Sequence, residues 1–257
     1  MDGFQYAPIN DLIQRAGEVV VSYFGQNLEI TDKGMASNFC TQADLESERV
    51  ILRGLAELYP DYNLVSEESG RIDTGSEYTF LIDPLDGTNN FALGIDNFTL
   101  SIGLMKGEEI IAGIVYQPIL KRLFTAERGR GAYLNGEKIT VSPERNIKSS
   151  TIAWSQGYAV PHRQWQAARA YFSHQSIKRV LESWSPAYDL CLVASGKIEG
   201  MVALDIDPHD FCAGKLIARE AGAMITDLQG NPNPDSDVRF MVSCCSEIRE
   251  LLVASFR

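Results

Sequence analysis

At 257 residues, 45% of them hydrophobic, the chain is long enough to bury a real core as one large domain or two small ones, which excludes a disordered protein. Lysines and arginines number 23 against 34 aspartates and glutamates, a formal net charge of −11. A surface of that sign repels phosphate polyanions, so neither nucleic acid nor an anionic membrane is an expected partner.

The opening "MDGFQYAPIN" lacks the basic and apolar regions of a leader peptide. No later apolar run approaches the roughly 18 residues of a membrane span, and a soluble cytoplasmic protein is the expectation. Leu12, Ile13, Ala16, Val19, Val20 and Tyr23 recur at three and four, predicting a helix over residues 9–24. A second helix follows Thr41, with Leu45, Val50, Ile51, Leu55 and Leu58 inward, and Pro60 ends it. The polar stretch "TDKGMASNFCTQAD" between them reads as loop or hairpin. Short β-like runs come next, "YNLVS", "YTFLID", "FTLSIGLM", "EIIAGIVYQP", "RLFTAE" and "GAYLNG", several of them separated by glycine-rich turns. They predict a mostly antiparallel sheet.

After residue 149 strand and helix alternate: "STIAWS", "HRQWQAARAYFS", "IKRVL", "PAYDLCLVASG", "MVAL", "HDFCAGKLIAREAG", "AMITDL", "VRFMVSC" and "SEIRELLVASF". That order predicts an α/β layer. The expected organisation is an α+β half over residues 1–148 and an α/β half over 149–257, packed as one unit with a cleft between them. Five cysteines, an odd number without a C-x-x-C pair, read as reduced core thiols. Three scattered histidines do not suggest a histidine metal site.

The stretch "LIDPLDGTNNF", residues 81–91, places Asp83 and Asp86 at the end of an apolar strand with no basic residue between them, then Gly87 and Thr88 at a helix start. Carboxylates and a peptide carbonyl such as that of Leu85 are ligands for a hard divalent cation rather than for zinc. Free N–H groups at a helix start suit phosphate. Further acids come from "SEESG", with Glu67 and Glu68, and from "DPHDFCAG", with Asp207 and Asp210. Read singly, Asp210 is a helix cap and Glu67 a solvated loop acid.

Read together, "VSEES", "LIDPLDGTNNF" and "HDFCAGKLIAREAGA", with "TQAD" and "DLCLVASGKIEG", resemble the inositol monophosphatase family of magnesium-dependent, lithium-sensitive phosphatases. The resemblance runs over nearly the whole chain. It implies a layered αβαβα carbohydrate-phosphatase fold, an α/β sandwich of the α+β type, and a homodimer. It also implies that Glu67, Asp83 and the Leu85 carbonyl hold one Mg²⁺ and that Asp83, Asp86 and Asp210 hold a second. A third, looser ion is implied near Glu67, with Asp44 close by through water; Mn²⁺ is an alternative metal. Thr88 and Glu67 are implied to orient the attacking water, with the phosphate on the amides of Gly87 and Thr88. Two cations answer the two difficulties of phosphate monoester hydrolysis, repulsion of the nucleophile and a poor leaving group.

The substrate pocket departs from the inositol-specific pattern. Where such members carry a small Gly-x-Ala segment and a glutamate, this chain has Trp184, Pro186 and Ala203. Trp184 reads either as part of a different alcohol pocket or as core. Inositol 1-phosphate is the default substrate; histidinol phosphate, fructose 1,6-bisphosphate and a nucleotide phosphate are alternatives. A cationic alcohol such as histidinol would draw on Asp205, Asp207 and His209. A non-enzymatic regulator binding magnesium and a phosphosugar is the remaining alternative. Lys33 stands before Asn38, where the family usually has an acid, and reads as a phosphate-side cation or a solvated loop lysine. A haloacid-dehalogenase reading fails because its two acids are two apart, not three.

Overall fold

Two sheets alternate with three helical layers in the order α–β–α–β–α in the computed structural model, which describes residues 6–27, 30–35 and 38–257. The chain begins with α1 (Tyr6–Tyr23), a hairpin of β1 (Ile30–Met35) and β2 (Asn38–Thr41), and α2 (Gln42–Leu58). A large sheet follows, built from β3 (Asn63–Ser66), β4 (Gly70–Ile72), β5 (Tyr78–Asp86), β6 (Thr99–Lys106), β7 (Glu109–Gln117), β8 (Arg122–Glu127), β9 (Ala132–Leu134) and β10 (Glu137–Ile139). Its order is β10-β9-β8-β7-β6-β5-β3-β4, and every pairing is antiparallel except β3 with β5. The short helix α3 (Thr88–Ala92) interrupts the run between β5 and β6.

The remainder comprises β11 (Thr151–Gln156), α4 (His162–His174), β12 (Arg179–Leu181), α5 (Pro186–Ala194), β13 (Gly200–Leu204), α6 (Pro208–Glu220), β14 (Met224–Thr226), β15 (Arg239–Ser243) and α7 (Ser246–Ala254). The small sheet has the order β12-β11-β13-β15-β14. Its β12, β11 and β13 are parallel, as helical crossovers require. β15 enters antiparallel between β13 and β14, a departure from simple alternation that the sequence pattern does not disclose. Both sheets end in strands of three residues: β10 and β4 on the large one, β12 and β14 on the small one.

Alternation along β5 divides the core. Phe80 and Ile82 join the cluster under α1 and α2, whereas Leu81 joins the one around α5 and α6. A third cluster fills the space between the small sheet and α4 with α7. Two expected core positions on α2 prove exposed, Leu45 at 36% and Leu58 at 43%. The buried stripe runs instead through Asp44, Ser47, Glu48, Ile51 and Leu55, so polar residues occupy the inward face of the first two turns.

The helix α6 lies against the large sheet at two glycines. A β-carbon on Gly113 would fall 2.6 Å from the Ala213 carbonyl oxygen, and one on Gly103 would fall 2.4 Å from Cys212 Sγ. Glycine is required there by close approach rather than by backbone conformation. The approach brings the start of α6 down onto the sheet.

Candidate active site

The polar stripe of α2 reaches three separate loops. Asp44, at the third helical position, accepts from the backbone N–H and hydroxyl of Thr41, the helix cap, at 2.8 and 2.5 Å. Its other oxygen accepts from the Thr88 hydroxyl at 2.9 Å. Ser47 donates to the Pro84 carbonyl at 2.8 Å. Glu48 accepts from the N–H groups of Glu68 and Ser69, at 3.2 and 3.0 Å, and from the Ser69 hydroxyl. One helical face therefore fixes the turn after β3 and the turn after β5 together.

At the end of β5 the pairing with β6 becomes irregular between Asp83 and Asp86, and the strand continues to Asp86 rather than stopping at Asp83. Asp83 Oδ1 accepts from the Leu85 N–H at 3.0 Å. Asp86 Oδ2 accepts from Thr99 at 2.8 Å, from the Ser185 hydroxyl and from the Tyr188 N–H at 3.4 Å; Oδ1 carries none of these bonds. Gly87 caps α3 at φ 91°, where a side chain would be strained and its β-carbon would stand 2.9 Å from the Asn97 carbonyl oxygen. Thr88 Oγ1 lies 2.9 Å from the Leu85 carbonyl oxygen.

Asp207 caps α6, and Asp210 at its third position accepts from the Asp207 N–H at 3.2 Å. Asp207, His209 and Asp210 bring ligand atoms within 4.8 Å of one another, and His209 Nε2 lies 3.4 Å from Asp210 Oδ1. A cavity of about 560 Å³ is lined by Glu67, Glu68, Asp207, His209, Leu45, Cys40 and Thr31, so Glu67 and Glu68 open onto the same space as Asp207 and His209.

Burial holds Asp83 well above the usual carboxylate range, reinforced by the negative charges of Glu67, Asp86 and Asp210. Asp210, a quarter of whose side chain reaches solvent, is raised by burial and then by Asp86, Glu67 and Asp207. Burial pushes Asp86 up to about 7 against its bonds from Ser185 and Thr99, and Asp44 up to about 7 against its bonds from Thr41 and Thr88. Among the described residues, no lysine or arginine pairs with Asp83, Asp86 or Asp210. Like charges that raise one another, all on oxygen donors, form a set that fits a hard divalent cation.

The structure thus brings Glu67, Asp83, Asp86 and Asp210 within electrostatic reach of one another, with Leu85, Gly87 and Thr88 on the same loop. Asp44 bonds Thr88 directly. Trp184 is not core: its side chain is 59% exposed and its φ is +57°, a conformation costing an aromatic residue about 1–2 kcal/mol. Pro186 opens α5, and Ala203 is buried in β13. Asp205 is held by two 2.6 Å bonds from Arg239 and is not available to a cationic alcohol. Arg128 pairs with Asp235 and Arg130 with Glu127. The side chains of Lys33 and Asn38 lie outside the described residues.

Sequence reasoning missed Glu48, Thr99, Ser185 and Asp189. Glu48 follows Asp44 by four residues, and that spacing on the buried face was the available signal. Asp189 is fully buried one turn beyond Ser185; burial pushes it up to about 8 against a bond from the Ser183 side chain, with Asp86 adding to the rise.

Residues 5–257 match the profile of the inositol monophosphatase family. A fructose-1,6-bisphosphatase/inositol-1-monophosphatase of Aquifex aeolicus is 35% identical over 229 residues, covering 86% of this chain and 84% of the relative. The Nus factor SuhB of Vibrio cholerae is 36% identical over 211 residues, covering 80% and 77%. In three dimensions the extragenic suppressor protein SuhB of Bartonella henselae superposes with a TM-score of 0.90 at 31% identity, covering 97% of each chain.

Proposed function

The chain belongs to the inositol monophosphatase family, and from that premise we propose that it hydrolyses a small-molecule phosphate monoester with magnesium, inositol 1-phosphate being the first named substrate. The observation that carries the reading is the convergence of Glu67, Asp83, Asp86 and Asp210, acids from three chain segments whose negative charges raise the buried carboxyls of Asp83 and Asp210. Those four carboxylates and the Leu85 carbonyl would hold two to three Mg²⁺ ions, with Mn²⁺ as a substitute. When bound, such cations supply positive charge to the phosphate and acidify water.

The chain's own groups do the rest. Gly87 and Thr88 present N–H groups at the start of α3 to the phosphate oxygens. Thr88, held by Asp44, orients water with Glu67 beside the loop that Glu48 fixes. Ser185 and Thr99 hold Asp86 in one rotamer. The same membership supports a homodimer and a cytoplasmic enzyme sensitive to lithium. Among the described residues, no helix is long and apolar enough to cross a membrane.

Phosphate release from inositol 1-phosphate, fructose 1,6-bisphosphate, histidinol phosphate, a nucleotide monophosphate and glycerol 2-phosphate tests the reading, with Mg²⁺, Mn²⁺ and Li⁺ varied. Magnesium-dependent turnover that millimolar lithium inhibits is expected. The name Nus factor on the Vibrio relative motivates the second reading, a regulator that binds magnesium and a phosphosugar. Saturable magnesium binding without release from any ester would favour it and overturn the first.

A further inference from the structure

Cys244 and Cys245 join the end of β15 to α7, and both are buried, with 8% and 4% of their surface exposed. Neighbouring residues of an extended segment point to opposite sides, and Cys245, at φ −157° and ψ 173°, is extended. Both thiols nevertheless donate to one acceptor, the Glu144 carbonyl oxygen, at 3.4 Å from Cys244 Sγ and 3.6 Å from Cys245 Sγ. Cys245 stands at the cap position of α7, yet its side chain bonds none of the free N–H groups of the helix. The backbone of the pair is fixed on both sides. The Cys244 N–H donates to the Glu199 carbonyl at 2.9 Å, and the Cys245 carbonyl accepts from the Arg249 N–H at 3.0 Å.

Two thiols turned to one point can act together where either alone is inert. Burial raises the Cys244 thiol to about 12, with the charge and side chain of Cys245 and the charge of Glu199 adding to the rise, so a reagent that needs a single thiolate is disfavoured. A disulfide within the pair does not fit, because adjacent α-carbons stand about 3.8 Å apart, against about 4.4–6.8 Å across a disulfide. One atom placed between the sulfurs lengthens the bridge and removes that misfit. Sulfur ligands select soft centres over the hard cations that suit carboxylates. We propose that Cys244 and Cys245 form a bidentate site for a soft, thiophilic centre, either trivalent arsenic or a two-coordinate cation such as Hg²⁺. Binding is a substitution without electron transfer. With phenylarsine oxide, two S–H bonds and the As=O bond break, two As–S bonds form, and the oxygen leaves as water with both protons. With Hg²⁺, two Hg–S bonds form and two protons are released. Ser243 pairs with Gly200 at the start of β13, whereas Asp207 and Asp210 follow the far end of that strand, so the thiol pair stands apart from the carboxylate centre.

The test incubates the reduced native chain, and the same chain unfolded in urea, with phenylarsine oxide or with Hg²⁺ in the presence of the monothiol 2-mercaptoethanol. Mass spectrometry reads the adduct on the intact protein and on the tryptic peptide 240–249, which carries both cysteines. About one equivalent per native chain is expected on that peptide, retained against the monothiol and stripped by the dithiol 2,3-dimercaptopropanol. Retention of the arsenical alone assigns the site to trivalent arsenic, and retention of the mercuric ion alone assigns it to the cation. Cys244→Ala and Cys245→Ala should each abolish retention. Where either variant fails to fold, the peptide map of the wild type decides by itself. An adduct on peptide 240–249 of the unfolded chain but not of the native one would overturn the proposal and leave two inert core thiols. Adducts spread over Cys40, Cys191 and Cys212 as well would overturn it equally.

Discussion

Asp86 commits one oxygen to Thr99, Ser185 and Tyr188, and Asp83 bonds the Leu85 N–H through a single oxygen. Each carboxylate is thereby held in one orientation before any ligand arrives, the condition for electrostatic stabilisation without reorganisation. Asp83→Asn keeps the shape, removes the negative charge and exchanges one acceptor oxygen for an NH₂ donor. Turnover should fall at least about 10²- to 10³-fold, with a higher magnesium requirement. Initial rates across a magnesium titration check this, and wild-type rates at saturating magnesium would contradict the assignment. Asp83 and Asp86 were legible in the sequence from residue type and spacing, whereas Asp210, which reads singly as a helix cap, was marked only by the family resemblance. Asp189 was not legible: a single acid inside an apolar helix reads as an outward-facing residue until the packing of α5 shows otherwise. Lys215 escaped notice for the same reason, its ammonium buried against the Asn233 side-chain oxygen and the carbonyls of Pro234, Asp235 and Asp237.

Among the elements, α6 links packing to chemistry. Its first turn carries Asp210, and its middle rests on Gly103 and Gly113. In Gly113→Ala the new methyl would collide with backbone atoms of Ala213, which cannot swing away as a side-chain tip can. The helix must lift, at a cost of about 1–3 kcal/mol. Denaturant unfolding should show that loss, and activity should fall further than stability explains because Asp210 moves with the helix. A drop in stability with unchanged kcat would show that the helix start is anchored independently. The helices and most strands of both sheets followed from periodicity. The inward face of α2 did not, because Asp44, Ser47 and Glu48 are buried for partners on distant loops that no local pattern contains. The insertion of β15 between β13 and β14 is hidden likewise, since strand order depends on packing of the finished layer.

For the whole molecule, the buried acids tie stability to pH. Folded values raised above the unfolded ones, to about 7 for Asp44 and Asp86 and about 8 for Asp189, mean that the native state holds more protons than the unfolded chain through mildly acidic and neutral pH. Their contribution therefore weakens as pH rises from about 4 to about 8. A cation at Asp83, Asp86 and Asp210 needs those groups ionised, so its stabilisation grows over the same range. Thermal unfolding with EDTA or with excess magnesium should show a Tm gap wider at about pH 8 than at about pH 5, the stabilisation by metal approaching about 2.7 kcal/mol at a hundredfold excess over Kd. A gap that does not vary with pH would place the metal away from these acids.

The three-residue rims of both sheets bear on self-association. Each outermost strand exposes too short a ladder to template a neighbour, and Arg71, Glu137, Lys138 and Arg179 put charge on three of the four. Concentrated solutions should resist fibril growth by strand addition at these rims, and an assembly of copies across them must be built from side-chain surfaces rather than by continuing either sheet from one molecule into the next.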